Sequence, residues 1–373
     1  MTATAQDGSP QRVMITLDAV GGVWRYALDL ASALHQEGIR CLLVGSGPAP
    51  EERHWAECRR AHAELVWTGE PLDWLAKDES ELEPVAGCLA QIAADRQIDL
   101  VHLNLPSQAV GFPAGLPLVV ASHSCVGTWW EAVRGDELPQ AWQWQRRRNQ
   151  AGLERADLVL TPSQSHADAL ARIHGPIPNL KVVHNATSLP NTVEAKADMV
   201  LSAGRWWDEG KNGRVLDQAA ARSPWPVVMP GALTGPNGQS MAFEHAAAPG
   251  EVPAATMRTM MRRTAIFAAP SLYEPFGLAV LEAAASGAAL ILSDIPTFRE
   301  LWSDAALFVS PHDPDGWSDA IRSLATDATA RWSLAERARN RARLYSSQRQ
   351  VSGILDAYRL AMQRHAFVDM AAR

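Results

Sequence analysis

At 373 residues, with 47% apolar and 20% charged side chains, the chain is long enough for two cores of ordinary size and too apolar for a disordered or fibrous protein. Its formal charge of -7 lies wholly in residues 1–192, which carry 22 acidic against 15 basic side chains, while the remainder carries 19 of each. An acidic first half argues against a nucleic-acid partner and against tight binding to anionic lipid.

No apolar run approaches the ~18 residues of a membrane-spanning helix. The polar start MTATAQDGSPQR lacks the apolar stretch of a secretory signal. Four scattered cysteines, Cys41, Cys58, Cys88 and Cys125, suggest neither a disulfide framework nor a zinc knuckle. The expectation is a cytoplasmic protein with reduced thiols, at most peripheral at the inner face of the membrane.

The first half alternates short apolar runs with longer amphipathic segments, the pattern of β-α units feeding a parallel sheet. Val13–Leu17 reads as the first strand, followed by a turn at Gly21-Gly22 and a helix over Val23–Leu34 that Gly38 stops. Further strands are expected at Cys41–Val44, Leu100–Leu103, Leu118–Ala121 and Leu158–Leu160, and helices at Leu82–Ala94, Pro139–Arg155 and Gln164–His174. The pattern lapses at Ser188–Lys196, SLPNTVEAK, whose composition suits a connector. It restarts with strands at Met199–Ala203, Val227–Met229, Ile266–Ala268, Ala289–Leu292 and Leu307–Val309, and helices at Gly210–Ala221 and Ala254–Arg263. The tail from Asp315 is helical in composition, with a break at Tyr345–Ser347 before a last helix at Val351–His365. The expected organisation is thus two α/β domains, 1–192 and 193–349, with function in strand-to-helix loops bordering a cleft between them.

Two segments carry the chemistry. In APSLYEPFGLAVLEA, residues 269–283, Pro275 predicts the start of a helix, because a first-turn proline lacks only an N–H that would go unpaired there. The N–H groups of Phe276, Gly277 and Leu278 would then present a positive dipole end to an anion, and Gly277 would admit it close to the backbone. Glu282 follows among apolar residues and is either a ligand for hydroxyls, such as those of a ribose, or a helix-end carboxylate paired with an arginine. In SAGRWWDEGKN, residues 202–212, Arg205 and Lys211 either converge on one diphosphate or pair with Asp208 and Glu209 as surface cations. No Asp-x-Asp motif stands in a loop suited to Mg²⁺, so no metal is expected.

E-P-F-G-L-A-V-L-E-A, with its Glu-x7-Glu spacing, and G-R-W-W-D-E-G-K together resemble the family 4 retaining glycosyltransferases of the GT-B fold. The likeness extends over nearly the whole chain: Ala19–Arg25 is similar to the family's G-G-x loop, Val119–His123 to its strand ending in a histidine, and Thr161-Pro162-Ser163, Ser293–Pro296 and Arg299-Glu300 to further motifs. This resemblance implies a GT-B fold of two Rossmann-like domains, with the final helix, about residues 350–373, crossing back onto the first. It implies that Arg205 and Lys211 hold the diphosphate of a nucleotide-sugar donor, that Glu282 binds ribose, and that Glu274 with the N–H groups after it holds the sugar. His123 would lie near that sugar's hydroxyls, and Gly21-Gly22 would border the diphosphate. The implied reaction is transfer, with retention and without metal or other cofactor, to a hydroxyl of a glycan, glycolipid or small-molecule acceptor. UDP-sugars are the favoured donors, with GDP-sugars the alternative.

Trp129, Trp130, Trp142 and Trp144 cluster where such enzymes receive acceptors, though indoles are equally ordinary core anchors. Arg146-Arg147-Arg148 reads as a solvated helix face, with contact to an acidic acceptor as the alternative. The loop at His184-Asn185-Ala186-Thr187 departs from the Asn-Gly of many members, and Pro230–Gly238 lacks the charges often found there. A dinucleotide oxidoreductase is disfavoured, since no G-x-G-x-x-G follows the first strand. A nucleotide-sugar epimerase and a non-catalytic nucleotide-sugar binding protein are the remaining alternatives.

Overall fold

A computed structural model describes residues 9–187 and 194–371, with side chains to residue 367. The described chain forms two compact α/β units: one takes in the chain to Asn185 apart from 132–135 and resumes at Ser347, and the other runs from Ala186 to Ser346 with 132–135. The domain boundary expected between residues 192 and 193 lies outside the described residues, as does most of the connector.

In the first unit seven strands, β1 (Arg12–Asp18), β2 (Arg40–Ser46), β3 (Glu64–Trp67), β4 (Leu100–Leu103), β5 (Leu118–Ala121), β6 (Leu158–Thr161) and β7 (Leu180–Val182), form one parallel sheet in the order β3-β2-β1-β4-β5-β6-β7. Both faces are covered. Val13, Ile15, Leu100, Val119 and Leu158 join one core with the helix Gly22–Gln36, whereas Met14, Val101, Leu118, Val120 and Val159 join another with the helix Glu83–Asp95. Such strands read as near-continuous apolar runs, which is why most were legible. The edge strands β3 and β7 were not, being short and half-buried.

The second unit carries β8 (Ala197–Leu201), β9 (Val227–Val228), β10 (Thr264–Ala269), β11 (Ala289–Ser293) and β12 (Leu307–Val309), parallel in the order β12-β11-β10-β8-β9. Again alternate residues feed opposite cores: Leu201, Phe267 and Leu290 one, Val200, Ile266 and Ala289 the other.

Each order reverses direction once, between β1 and β4 in the first sheet and between β8 and β10 in the second. Parallel α/β sheets open a crevice at that point, beyond the carboxyl ends of the two strands.

Several helix boundaries differ from expectation. The last helix begins at Ser347, because the break falls at Tyr345, whose ring is buried against Phe276 and Trp302 and whose hydroxyl donates to Leu301 O. From Ser347 the helix belongs to the first unit, where Ile354, Ala357, Tyr358 and Ala361 enter the core with the helix Gly22–Gln36. Helices at Glu52–Arg60, Val126–Val133 and Pro296–Trp302 had no clear periodicity over so few turns. No helix among the described residues is long and apolar enough to cross a membrane.

Candidate active site

In the second unit the predicted residues gather where the sheet order reverses. After β8 the chain turns through Ser202–Asp208 into a single 3₁₀ turn, Glu209–Lys211, where the Asp208 carboxylate accepts from Gly210 N–H at 2.9 Å. Asn212 then takes a left-handed conformation (φ 52°), one that asparagine tolerates better than most residues. The following helix therefore runs over Gly213–Ala220 rather than starting at Gly210. Asn212 Nδ2 donates to Pro270 O (2.9 Å) and Pro311 O (2.7 Å). Leu272 N–H donates to Gly210 O at 2.9 Å. These bonds tie the loop after β8 to the loops after β10 and β12, and the sequence pattern gave Asn212 no role. Its only sequence signal is an amide beside a lysine at a strand-to-helix junction.

The joined loops set Lys211 Nζ 2.6 Å from Glu274 Oε2, both side chains about four-fifths buried. A pocket lies there, lined by Ser202, Lys211, Pro270, Ser271, Glu274 and Gly277 among others, at the ends of β8 and β10. One ammonium N–H serves Glu274, and an ammonium has three, so Lys211 can bridge its carboxylate to an anion in the pocket. The pairing with Glu209 considered for Lys211 is replaced by Glu274. Arg205 does pair with Asp208 (3.4 Å), with its guanidinium 5.5 Å from the centre of the Trp207 ring, and it is not among the pocket-lining residues.

The helix after Glu274 is shorter than expected. It spans Leu278–Ala285, with Gly277 as its N-cap at φ 89°, a left-handed conformation in which a side chain is strained. Gly277 therefore serves a sharp entry into the helix, and a Cβ there would sit 3.1 Å from Phe298 and 3.4 Å from Glu274 Cγ. The N–H groups at the helix start are those of Leu278, Ala279 and Val280, not Phe276 and Gly277. Phe276 is a core residue, edge-on to Tyr345. Glu282 is half-buried rather than enclosed: Leu278, Ala279 and Glu282 share the less buried face of the helix, and Ala279 lines the pocket.

In the first unit, Asp18 at the end of β1 accepts from Val20 N–H at 2.8 Å. Gly21, in extended conformation, then caps the helix that Gly22 opens. His123 follows β5, its Nε2 2.9 Å from Asn104 Oδ1 and its ring edge-on to Tyr26 with centroids 4.4 Å apart. Burial pulls its pKa down to about 4. With Ser122, Thr161 and Asn185 it lines a second, smaller pocket. Beneath lies a further buried chain, in which His102 Nδ1 is 2.9 Å from the Tyr358 hydroxyl and Tyr26 OH is 3.5 Å from His102 Nε2.

Trp129 and Trp130 lie on the helix Val126–Val133, half-buried, with Trp130 edge-on to the exposed Trp142 and its Nε1 donating to Asp136 at 2.7 Å. Trp144 instead packs against the core. The arginine run is not one solvated face: Arg148 is buried and donates to Leu82 O at 2.9 Å, while Arg146 and Arg147 are exposed.

Residues 20–189 match the profile of Glycosyltransferase Family 4 and residues 243–343 that of Glycosyl transferases group 1, together well over half of the chain. A 55-residue stretch, 15% of this chain and 16% of the other, is 44% identical to the O-antigen chain mannosyltransferase RfbU of Salmonella typhimurium. The chain thus matches less than a fifth of that relative's length. The D-inositol 3-phosphate glycosyltransferase of Kineococcus radiotolerans is 25% identical over 93% of this chain and 92% of its own. HepE from Anabaena, solved in complex with UDP and glucose, superposes with a TM-score of 0.74 at 16% identity, covering 93% of this chain and 98% of that one. Two parallel-sheet α/β domains of the GT-B type, with one profile over the first and the other over residues 243–343 of the second, make the chain a member of the group 1 glycosyltransferases.

Proposed function

We propose that the protein transfers a glycosyl group from a nucleotide diphosphate sugar, a UDP-sugar by preference, to an acceptor hydroxyl with retention at the anomeric carbon. The observation that carries this reading is the pocket at the strand-order reversal of the second sheet, where the Lys211 ammonium, the Glu274 carboxylate and the start of the helix Leu278–Ala285 converge. An ammonium beside free backbone N–H groups suits a diphosphate. A carboxylate 2.6 Å away suits the hydroxyls of the attached sugar. The UDP and glucose bound by HepE, which shares the fold, support the same donor class.

In this reading Lys211, Arg205 and the helix start bind the diphosphate and offset charge on the departing nucleotide. Glu274 holds the sugar, Glu282 the ribose, and His123 a sugar hydroxyl, while Gly21-Gly22 leave room for the phosphates. The anomeric carbon to phosphate-oxygen bond breaks as the bond to the acceptor oxygen forms on the same face. The acceptor proton passes to the departing phosphate oxygen. The side-chain cations and the backbone N–H dipoles at the helix start supply the charge compensation, so the proposed transfer is independent of metal. Trp129 and Trp130 are proposed to contact the acceptor.

The test is a panel of UDP-, GDP- and ADP-sugars read by thermal shift and by nucleotide release with and without EDTA. A donor at 100 times its dissociation constant should stabilise the protein by ~2.7 kcal/mol, and release should survive EDTA. Stabilisation by none of the panel, or release that stops in EDTA and returns with Mg²⁺, would contradict the site as described.

A further inference from the structure

The loop after β4 contains a residue that the sequence reading passed over. Asn104 is buried, and its side chain is oriented by bonds that leave no freedom of choice. Its backbone N–H donates to Thr16 Oγ1 at 2.8 Å and its Nδ2 to Thr16 O at 2.5 Å. Thr16 Oγ1 in turn donates to Gln108 Oε1 at 2.7 Å. Thr16, Asn104 and Gln108 are each at least 96% buried, so water does not compete for these bonds. Turning the Asn104 amide over would set its oxygen against the Thr16 carbonyl, acceptor against acceptor. The amide oxygen therefore faces His123 Nε2, at 2.9 Å.

An amide oxygen only accepts, so Nε2 must carry the hydrogen. We propose that Asn104 is a positioning residue that fixes His123 in its Nε2–H tautomer and leaves the Nδ1 lone pair as the ring's one polar function toward a donor sugar. The titratable groups packed around the ring are Tyr26 from the helix Gly22–Gln36, His102 from β4 and His166 from the helix Gln164–His174. Burial raises the first and lowers the other two, so all three are neutral at pH 7. None of them favours an imidazolium, and His123 itself stays neutral down to about pH 4.

The consequence concerns specificity and rests on the reading of His123 as a sugar contact. A bare ring nitrogen accepts a bond from a hydroxyl. It refuses a carboxylate or ether oxygen at the same place, because acceptor would meet acceptor. The inferred donor class is a neutral sugar with a free hydroxyl at the His123 contact, in preference to its uronic-acid or O-methylated counterpart.

Two measurements separate the tautomer from the donor assignment. Long-range ¹H–¹⁵N correlation spectra of the ligand-free wild-type protein at pH 7 should show His123 protonated at Nε2 and bare at Nδ1. A protonated Nδ1 would overturn the proposal, whatever the donor and whether or not a variant folds. In Asn104→Leu, the spectrum should become a mixture of tautomers. The Kd of UDP-glucose should rise about tenfold and that of UDP should stay unchanged. An unaltered tautomer in this variant removes the positioning role. An altered tautomer with unmoved UDP-glucose affinity instead keeps the positioning role and overturns the assignment of His123 to the sugar.

Discussion

The ends of the two sheets treat buried polarity in different ways. In the first unit, neutral hydrogen bonds at β4, β5 and the loops beyond them join Tyr26 and Tyr358 to His102, Asn104 to His123, and Ser122 to His166. In the second, β8 and β10 meet Lys211 with Glu274, Arg205 with Asp208, and Lys196 with backbone carbonyls. A neutral network holds its geometry without a counter-ion and orients single lone pairs, whereas partly buried charges are costly to desolvate unless they are paired or hydrogen-bonded. The contrast fits the proposed function, in which the first unit would orient the sugar and the second would offset the charge of the donor.

The largest expected effect breaks the charged side. Lys211→Ala should lower kcat by ~10²–10³, the usual cost of losing one electrostatic donor to a developing anion, with the melting temperature close to wild type. Near-normal turnover in a steady-state assay would remove the phosphate role.

Next comes acid. The folded pKa values of His102, His123 and His166 lie at about 3, 4 and 3, pushed down chiefly by burial from the ordinary 6.5. Above pH 6.5 these groups are neutral in both states and leave stability unchanged. As pH falls from 6.5 toward 4, the unfolded chain binds protons that the folded one refuses. Each group then lowers the folding equilibrium constant of the first unit by up to about tenfold per pH unit. Hydrogen exchange at pH 7 and pH 5 should show protection lost in β4–β6 before β8–β11. Equal loss in both sheets would refute the contrast.

The smallest effect tests a charged group outside the pocket. Lys196 Nζ donates to Arg262 O (2.8 Å) and Ser286 O (2.6 Å), carbonyls near the carboxyl ends of two helices. Burial lowers its pKa to about 8, which still leaves it charged at pH 7. Lys196→Met should destabilise the second unit by ~1–3 kcal/mol through the unpaired carbonyls, read by urea denaturation. A shift confined to the first unit's transition would exclude that role.

Much of this molecule was legible in one dimension. The central strands are buried on both faces and so appear as apolar runs, and the loops that carry chemistry sit where glycine, proline and charge interrupt those runs. That pattern singled out Lys211, Gly277 and the turn at Glu274-Pro275, whereas His123 stood out only through the resemblance of its strand to the glycosyltransferase family. The start of the helix after Glu274 was misplaced by three residues, because proline at a plausible first position outweighed the glycine whose left-handed φ of 89° sets the entry. Arg148 was read as solvated because periodicity does not show which face another segment covers.

Composition and local pattern thus determined the class of fold and the order of the elements, since these follow from chain-local sterics and hydrophobic spacing. Only the tertiary structure decided the partners. The 2.6 Å pair of Lys211 and Glu274 joins residues 63 apart, Asn212 reaches Pro311 across 99, and Asn104 meets His123 at the ends of adjacent strands. Hydrogen bonds of this kind depend on angles and distances set by strand register, which a residue's neighbours in sequence do not specify.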